Sequence, residues 1–326
     1  MYSSGSLTLF VVMLLLAACE QPLATPTTAA DVNICATNTS IGHAVIGAVN
    51  LSWPGMSAVR MSAVGGDLAA ACEALAAYYR NGNTSAWLRL PATPAPSTRR
   101  AGGEADDLVL HDIFHLSGVG QVAKIPRNLD GGIDWLDHGP KNDPCEQSPP
   151  ALPPCPSCTS TPAAAPPHFT LQPRSMITLL RSEFMNCLNR HESFLHLRLA
   201  WNATGNPVYS AYFSALAEDW VGHLPCRKGV SRSGWDAPGG PEPCATGTME
   251  SPWRVLECGI RTASTWPLPF FSFQHAVEFT TSARVMMILG FSEHNAVLAG
   301  PGRSAHTPNW AIGQCASLVH LLPNCS

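Results

Sequence analysis

The sequence predicts an all-α chain of helix pairs joined by long loops. Apolar residues recur at helical spacing, capping and stop signals bracket those windows, and no strand-like alternation of useful length appears. At 326 residues, 45% of them hydrophobic and 13% charged, the chain can bury one large core or two ordinary ones. A net charge of −4 argues against a general nucleic-acid or polyanion binder, because no basic surplus exists to drive counterion release. Any anionic ligand must be met by a local cluster.

The N-terminus suggests the compartment. Leu7 to Ala18 is an apolar run of secretory-signal length ending in Ala17-Ala18-Cys19, too short for a membrane span. Residues 1–19 are therefore expected to be a signal peptide and the protein secreted; a bacterial lipoprotein anchor at Cys19 is the second choice. N-x-S/T triplets begin at Asn38, Asn50, Asn83, Asn202 and Asn324, compatible with a secreted glycoprotein. Twelve cysteines without metal-ligand spacing fit an oxidising compartment, and their pairing is not legible. No cofactor or metal is expected.

Residues 20–65 read as a polar leader, and residues 66–144 as the first part of a helical domain. Asp67 can cap a helix carrying Leu68, Cys72, Leu75 and Tyr79 on one face, ended by Asn81-Gly82-Asn83. His111 to His115 and Gly118 to Gly120 look irregular. Asp112, His115 and Asp134 lack ligand spacing and read as solvated loop residues. Residues 145–186, dense in Pro and Ala around Cys155 and Cys158, read as a largely disordered insert that cannot build a core.

The second part of the helical domain is expected over 187–326. Leu188, His191, Leu195 and Leu199 share one face, and Arg190, Phe194, Leu197 and Trp201 the next. Gly205 makes a turn, Asn206 caps, and Pro207 takes the first helical position, where its missing N–H costs nothing. Tyr209, Tyr212, Phe213, Leu216 and Trp220 mark the following helix. Phe270 to Leu289 is expected as one apolar helix and Ser292 as the start of a short one. Thr307 and Pro308 open a last helix.

The stretch from Trp253 to Trp310 carries the chemistry. Arg254, Glu257 and Arg261 recur at helical spacing among tryptophans and phenylalanines. Arginines pair with carboxylate or sulfate and aromatics stack on sugar faces, so the mixture suits a cleft for a polar ring. Solvated charges at a helix start are the plainer reading of the residue types alone.

The order of motifs favours the cleft. Ile133-Asp134-Trp135, Leu188-Asn189-Arg190-His191, Thr204-Gly205-Asn206, Asp219-Trp220, Trp253-Arg254-x-Leu256-Glu257-x-Gly259-Ile260-Arg261, Phe273-Gln274, Glu293-His294 and Asn309-Trp310 follow one another. That series resembles the N-terminal domain of the heparinase II/III polysaccharide lyases over roughly residues 66 to 322, the insert excepted. The resemblance implies an incomplete (α/α) toroid with the sugar chain in a cleft, and a family C-terminal β-sandwich absent from this chain. It implies β-elimination on uronate-containing, heparin-like glycans, with an acidic polysaccharide as partner, no nucleic acid and no membrane span.

That reaction removes a proton beside a carboxylate, so the carboxylate must be neutralised by hydrogen bonds that strengthen as charge develops. Asn309 matches the residue filling that role in relatives, in the first turn of the Thr307-capped helix where backbone N–H groups also favour an anion. By the same match, Arg190, His191, Arg254, Glu257, Arg261, Gln274, His294 and Trp310 line or brace the cleft. Some of these can be structural: an Arg254 or Arg261 pair with Glu257 would tie helices, and His191 shares a face with leucines. Trp310 stands where many relatives carry histidine, and the base and acid are not assignable. Two other readings stay open: a non-catalytic glycan-binding or structural remnant, and a helical-toroid glycoside hydrolase for which Asp134, Glu257 and Glu293 form no convincing pair.

Overall fold

The computed structural model describes residues 33–81, 93–136, 183–226 and 251–299. Helices begin before the expected domain boundary. α1 (Ile34–Thr37), α2 (Thr39–Gly47) and α3 (Ser57–Val64) occupy the stretch read as a leader, and α4 (Leu68–Asn81) follows. Asn33 and Asn38 start the first two, their Oδ1 atoms accepting from Cys35 N–H and Ile41 N–H at 3.0 and 3.1 Å. This correction to the leader has a packing cause: Cys35, Ile41, Val45, Met56 and Val59 are buried, and a Cys35–Cys72 disulfide ties α1 to α4. The Asp67 cap holds, accepting from Ala70 N–H at 2.9 Å, with Cys72 and Leu75 facing inward.

After α5 (Glu104–His111) the chain makes a small antiparallel hairpin, β1 (Ile113–Leu116) with β2 (Gln121–Lys124), where an irregular segment is expected. Only β1 alternates, with Phe114 and Leu116 buried, while β2 is mostly exposed. Two four-residue strands with one apolar face between them fall below what periodicity can register. Asp112 ends α5 in the left-handed region and accepts from Arg127 and Tyr212, so it is a tied corner rather than a solvated loop residue.

The second half is helical, with residues 183–188 already in a helix that starts inside the insert expected over 145–186. α6 (Glu192–Thr204) and α7 (Pro207–His223) form a hairpin of helices. Gly205 turns the chain at φ +68°, and a Cβ there would lie 1.8 Å from Ala95 O, so glycine is required twice over. Asn206 caps α7 as expected, accepting from Val208 N–H at 3.1 Å. His191 precedes α6 with φ 58°, rather than lying on a helix face with Leu195. α8 (Val255–Ile260) runs into a π-helical turn, Arg261–Thr265, then α9 (Pro267–Ser272) and a 3-10 turn, Phe273–His275. The chain breaks at 276–280, and α10 (Thr281–Ala299) then runs without interruption through Ser292. The missed signal is Thr280, whose hydroxyl accepts from Ala283 N–H at 2.9 Å. The expected Thr307 helix lies outside the described residues.

Rings from α6, α7 and the 251–279 stretch make the centre of the core: Phe194, Phe213, Trp220, Trp253, Trp266, Phe270 and Phe273 are all at most 1% exposed. Among the described residues, no helix is long and apolar enough to cross a membrane.

One ionic latch holds the loop after β2 against α7. His223 Nε2 meets Asp130 Oδ2 at 2.6 Å, and its Nδ1 lies 3.2 Å from Asp219 Oδ1. Asp219 also accepts from Ile133 N–H and Trp135 Nε1–H at 3.0 and 2.7 Å. The Asp219 and Asp130 bonds outweigh desolvation and raise the His223 pKa to about 9. Because the folded value exceeds the unfolded one of about 6.5, this stabilisation is complete below that pH and is lost as pH rises through about 9. Urea midpoints across that window should fall in the parent chain and fall less in His223→Gln.

Candidate functional site

The motif residues gather where residues 183–191, α8 and α10 meet, and they divide into two polar groups. The first is ionic. Arg254 caps α8, and its Nε and Nη2 donate to Glu257, one turn on. Its Nη1 donates to Glu183 Oε1 at 2.8 Å. Arg190 Nη2 lies 3.2 Å from Glu257 Oε1 and 3.6 Å from Glu183 Oε2. Two cations and two anions therefore balance. Glu257 is fully buried, whereas the side chains of Arg190 and Glu183 keep 15% and 30% exposure. Burial opposes the Arg254 charge, but the bonds to Glu257 and Glu183 prevail and raise its pKa. Burial likewise opposes ionisation of Glu183, and Arg254 with Arg190 lowers its pKa.

The second group is built on Arg261, which is fully buried. Its guanidinium donates to Asn189 O at 2.6 Å, to Pro252 O at 2.7 Å and to His294 Nε2 at 2.6 Å. The same cation sits 4.8 Å from the Trp220 ring centroid and 5.6 Å from that of Trp253. Its partners are neutral carbonyls, an imidazole and the Cys258 sulfur; none of the described carboxylates lies within ion-pair distance. Desolvation consequently lowers its pKa. Since His294 Nε2 accepts from Arg261, its Nδ1 carries the proton and donates to Gly290 O at 2.6 Å. Desolvation, then the Arg261 charge, holds the His294 pKa well below the ordinary value. Burial also pushes the neighbouring Cys258 thiol up to about 12.

His191 belongs to this second group through Trp266, whose Nε1–H donates to His191 Nδ1 at 2.7 Å. The proton then sits on Nε2, which has no hydrogen-bond acceptor among the described residues and is enclosed by Phe194, Trp135 and Trp220. Desolvation, then Arg261, keeps His191 neutral. Asn189 joins the groups: its Nδ2 donates to Trp135 O at 2.7 Å, and its Oδ1 accepts from Trp220 Nε1–H at 2.7 Å.

Arg254, Glu257 and Arg261 do not act as one face, contrary to their spacing. α8 is six residues long, and Arg261 at its end donates to His294 while Arg254 at its start turns to Glu183. Gln274 joins neither group: it donates to Phe270 O at 3.0 Å and accepts from Arg284 Nε at 3.2 Å, bracing α9 to α10. Asn309 and Trp310 lie outside the described residues. His191, Arg254, Glu257, Arg261, Gln274 and His294 are each at most 3% exposed, so only Arg190 of the described candidates presents a charged edge to water. Sequence reasoning passed over Glu183, inside the expected insert, and Arg284, whose signal was a lone cation in an apolar run. Among the described residues, no group of three or more His, Cys, Asp or Glu could hold a metal ion.

The heparinase II/III N-terminus family model matches residues 45–321. The chain belongs to the heparinase II/III family. A heparinase III gene product has the same fold over 86% of this chain, at 16% identity and a TM-score of 0.53. Heparan sulfate lyase HepC from Pedobacter heparinus matches over 86% at 18% identity and a TM-score of 0.54. The chain spans 36% of the length of each. Comparison with curated protein sequences gives no match. The fold is thus the all-α, incomplete toroid of the family's N-terminal domain, and it begins before the expected position 66.

Glu257→Gln leaves Arg254 and Arg190 against a single carboxylate in a buried setting, and should cost about 3–5 kcal/mol in chemical denaturation. The double change Arg254→Met with Glu257→Leu keeps the Arg190–Glu183 pair and should cost clearly less. Equal losses would mean that volume, not charge balance, matters here.

Proposed function

We propose that this heparinase II/III family member is a secreted polysaccharide lyase-like protein acting on uronate-containing, heparin-like glycans by β-elimination. The observation that carries the reading is the family match over residues 45–321, joined to the shared fold of two heparinases. In that reaction a base removes the C5 proton of the uronate, the C4–O bond breaks, and a C4–C5 double bond remains in the product. The chain's part would be to neutralise the uronate carboxylate through the Asn309 amide, while Arg190 meets acidic groups at the edge and Trp310 offers a ring face. Arg254, Glu257, Arg261, His191, His294 and Gln274 would act as braces that hold the cleft wall. The Cys35–Cys72 disulfide and a further disulfide at Cys226 support an oxidising, secretory destination.

A non-catalytic glycan-binding or structural remnant of such a lyase is the second reading, and the burial of nearly every described candidate side chain favours its structural form. Incubating the purified chain with uronate glycans and following product absorbance separates the two. Under the lyase reading, absorbance grows, and Asn309→Ala lowers kcat by about 10²–10³-fold. Glycan binding with flat absorbance selects the glycan-binding remnant, and absence of both binding and turnover defeats the lyase and glycan-binding readings and leaves the structural remnant.

A further inference from the structure

The N-x-S/T triplets have no part in the lyase reading, and the structure distinguishes the three it describes. Asn38 is half-buried at the N-cap of α2, with Ser40 exposed. Its Oδ1 is taken by Ile41 N–H at 3.1 Å, and its Nδ2 makes no hydrogen bond among the described residues. Asn50 is half-buried in the connection between α2 and α3, with Ser52 exposed. Its Oδ1 accepts from Ser52 N–H at 3.0 Å, a local turn that holds the asparagine side chain against the Ser52 backbone, and its Nδ2 is likewise unengaged among the described residues.

Asn202 is half-buried like the other two but differs in its backbone and in its triplet hydroxyl. It lies within α6, where positions two apart do not face each other. Its Thr204 is 8% exposed, and the hydroxyl donates to Ala200 O at 2.7 Å while accepting from Asn206 N–H at 3.2 Å. A triplet hydroxyl occupied on both sides is not offered to an incoming enzyme.

We propose that Asn38 and Asn50 are N-glycan acceptor sites and that Asn202 is not. The proposal rests on the secretory part of the functional reading, because the transferase and its donor belong to that route. The donor is a polyprenyl-diphosphate-linked oligosaccharide. Nδ2 attacks the anomeric carbon, an N–C bond forms as the C–O bond to phosphate breaks, the lipid diphosphate leaves, and Nδ2 gives one proton to the transferase base. No oxidation is involved. The product amide keeps its Oδ1, so the α2 cap and the Asn50 turn survive modification. Both glycans would stand on the α1–α3 region, whereas the motif residues belong to residues 183–191, α8 and α10.

The test expresses the full chain in a eukaryotic secretory host, once with its own N-terminus and once with residues 1–19 replaced by an established secretory leader. Peptide mapping after enzymatic glycan release, which converts each occupied asparagine to aspartate, reads every triplet separately. With the replacement leader, aspartate at 38 and 50 and asparagine at 202 is the expected result. Unmodified Asn38 and Asn50 in that secreted chain, or carbohydrate confined to Asn202, overturns the proposal. The chain with its own N-terminus tests only the secretory reading: retention inside the cell defeats that reading without touching the acceptor result. Ser40→Ala and Ser52→Ala should each remove one glycan while leaving the asparagine caps in place. Occupancy that persists in either variant also overturns the proposal.

Discussion

The architecture depends on a cation sealed from water. Arg261 cannot leave its charge in the core without partners, because an unpaired buried guanidinium costs several kcal/mol even after relaxation. It is satisfied by Asn189 O, Pro252 O and His294 Nε2, drawn from three separate stretches of chain. Each of those stretches must therefore be in place before the charge is tolerable. The rings of Trp220 and Trp253 complete the enclosure. A leucine could fill the volume, but it would not specify which carbonyls approach. The cation thus enforces register among the 183–191 segment, α8 and α10, and His294 is held neutral first by burial and then by the Arg261 charge beside it.

The adjacent ionic group solves a different problem with different chemistry. Arg254, Glu257, Arg190 and Glu183 neutralise one another, and their exposure grades from the sealed Glu257 outward to Arg190 and Glu183. That gradient places a partly exposed charged rim on a buried foundation. A polymer with regularly spaced acidic groups needs such an edge to be fixed, because every mobile cation it immobilises adds an entropic cost.

How far the sequence led depended on the range of the determining interaction. Asp67, Asn206 and Pro207 were legible as helix starts because a cap is satisfied within a few residues. The β1–β2 hairpin was not, since its strands are short and one of them faces water. The continuous α10 was misread because a cap at Thr280 was overlooked beneath an apolar run. The helices within 34–64 were not legible, because they are held by Cys35 and by apolar contacts with partners further along the chain.

The sequence by itself determined the family, because an ordered series of short motifs keeps its meaning without coordinates. It also determined that Arg254, Glu257, Arg261, His191 and His294 belong to one neighbourhood. Only the tertiary structure decided what they do there. Whether an arginine meets a ligand or a carbonyl depends on which surfaces close over it, and helical spacing says nothing about desolvation. Arg261 and Arg254 part company through their partners, His294 with two carbonyls for one and Glu183 with Glu257 for the other, and His294, Asn189 and Glu183 come from distant stretches of chain.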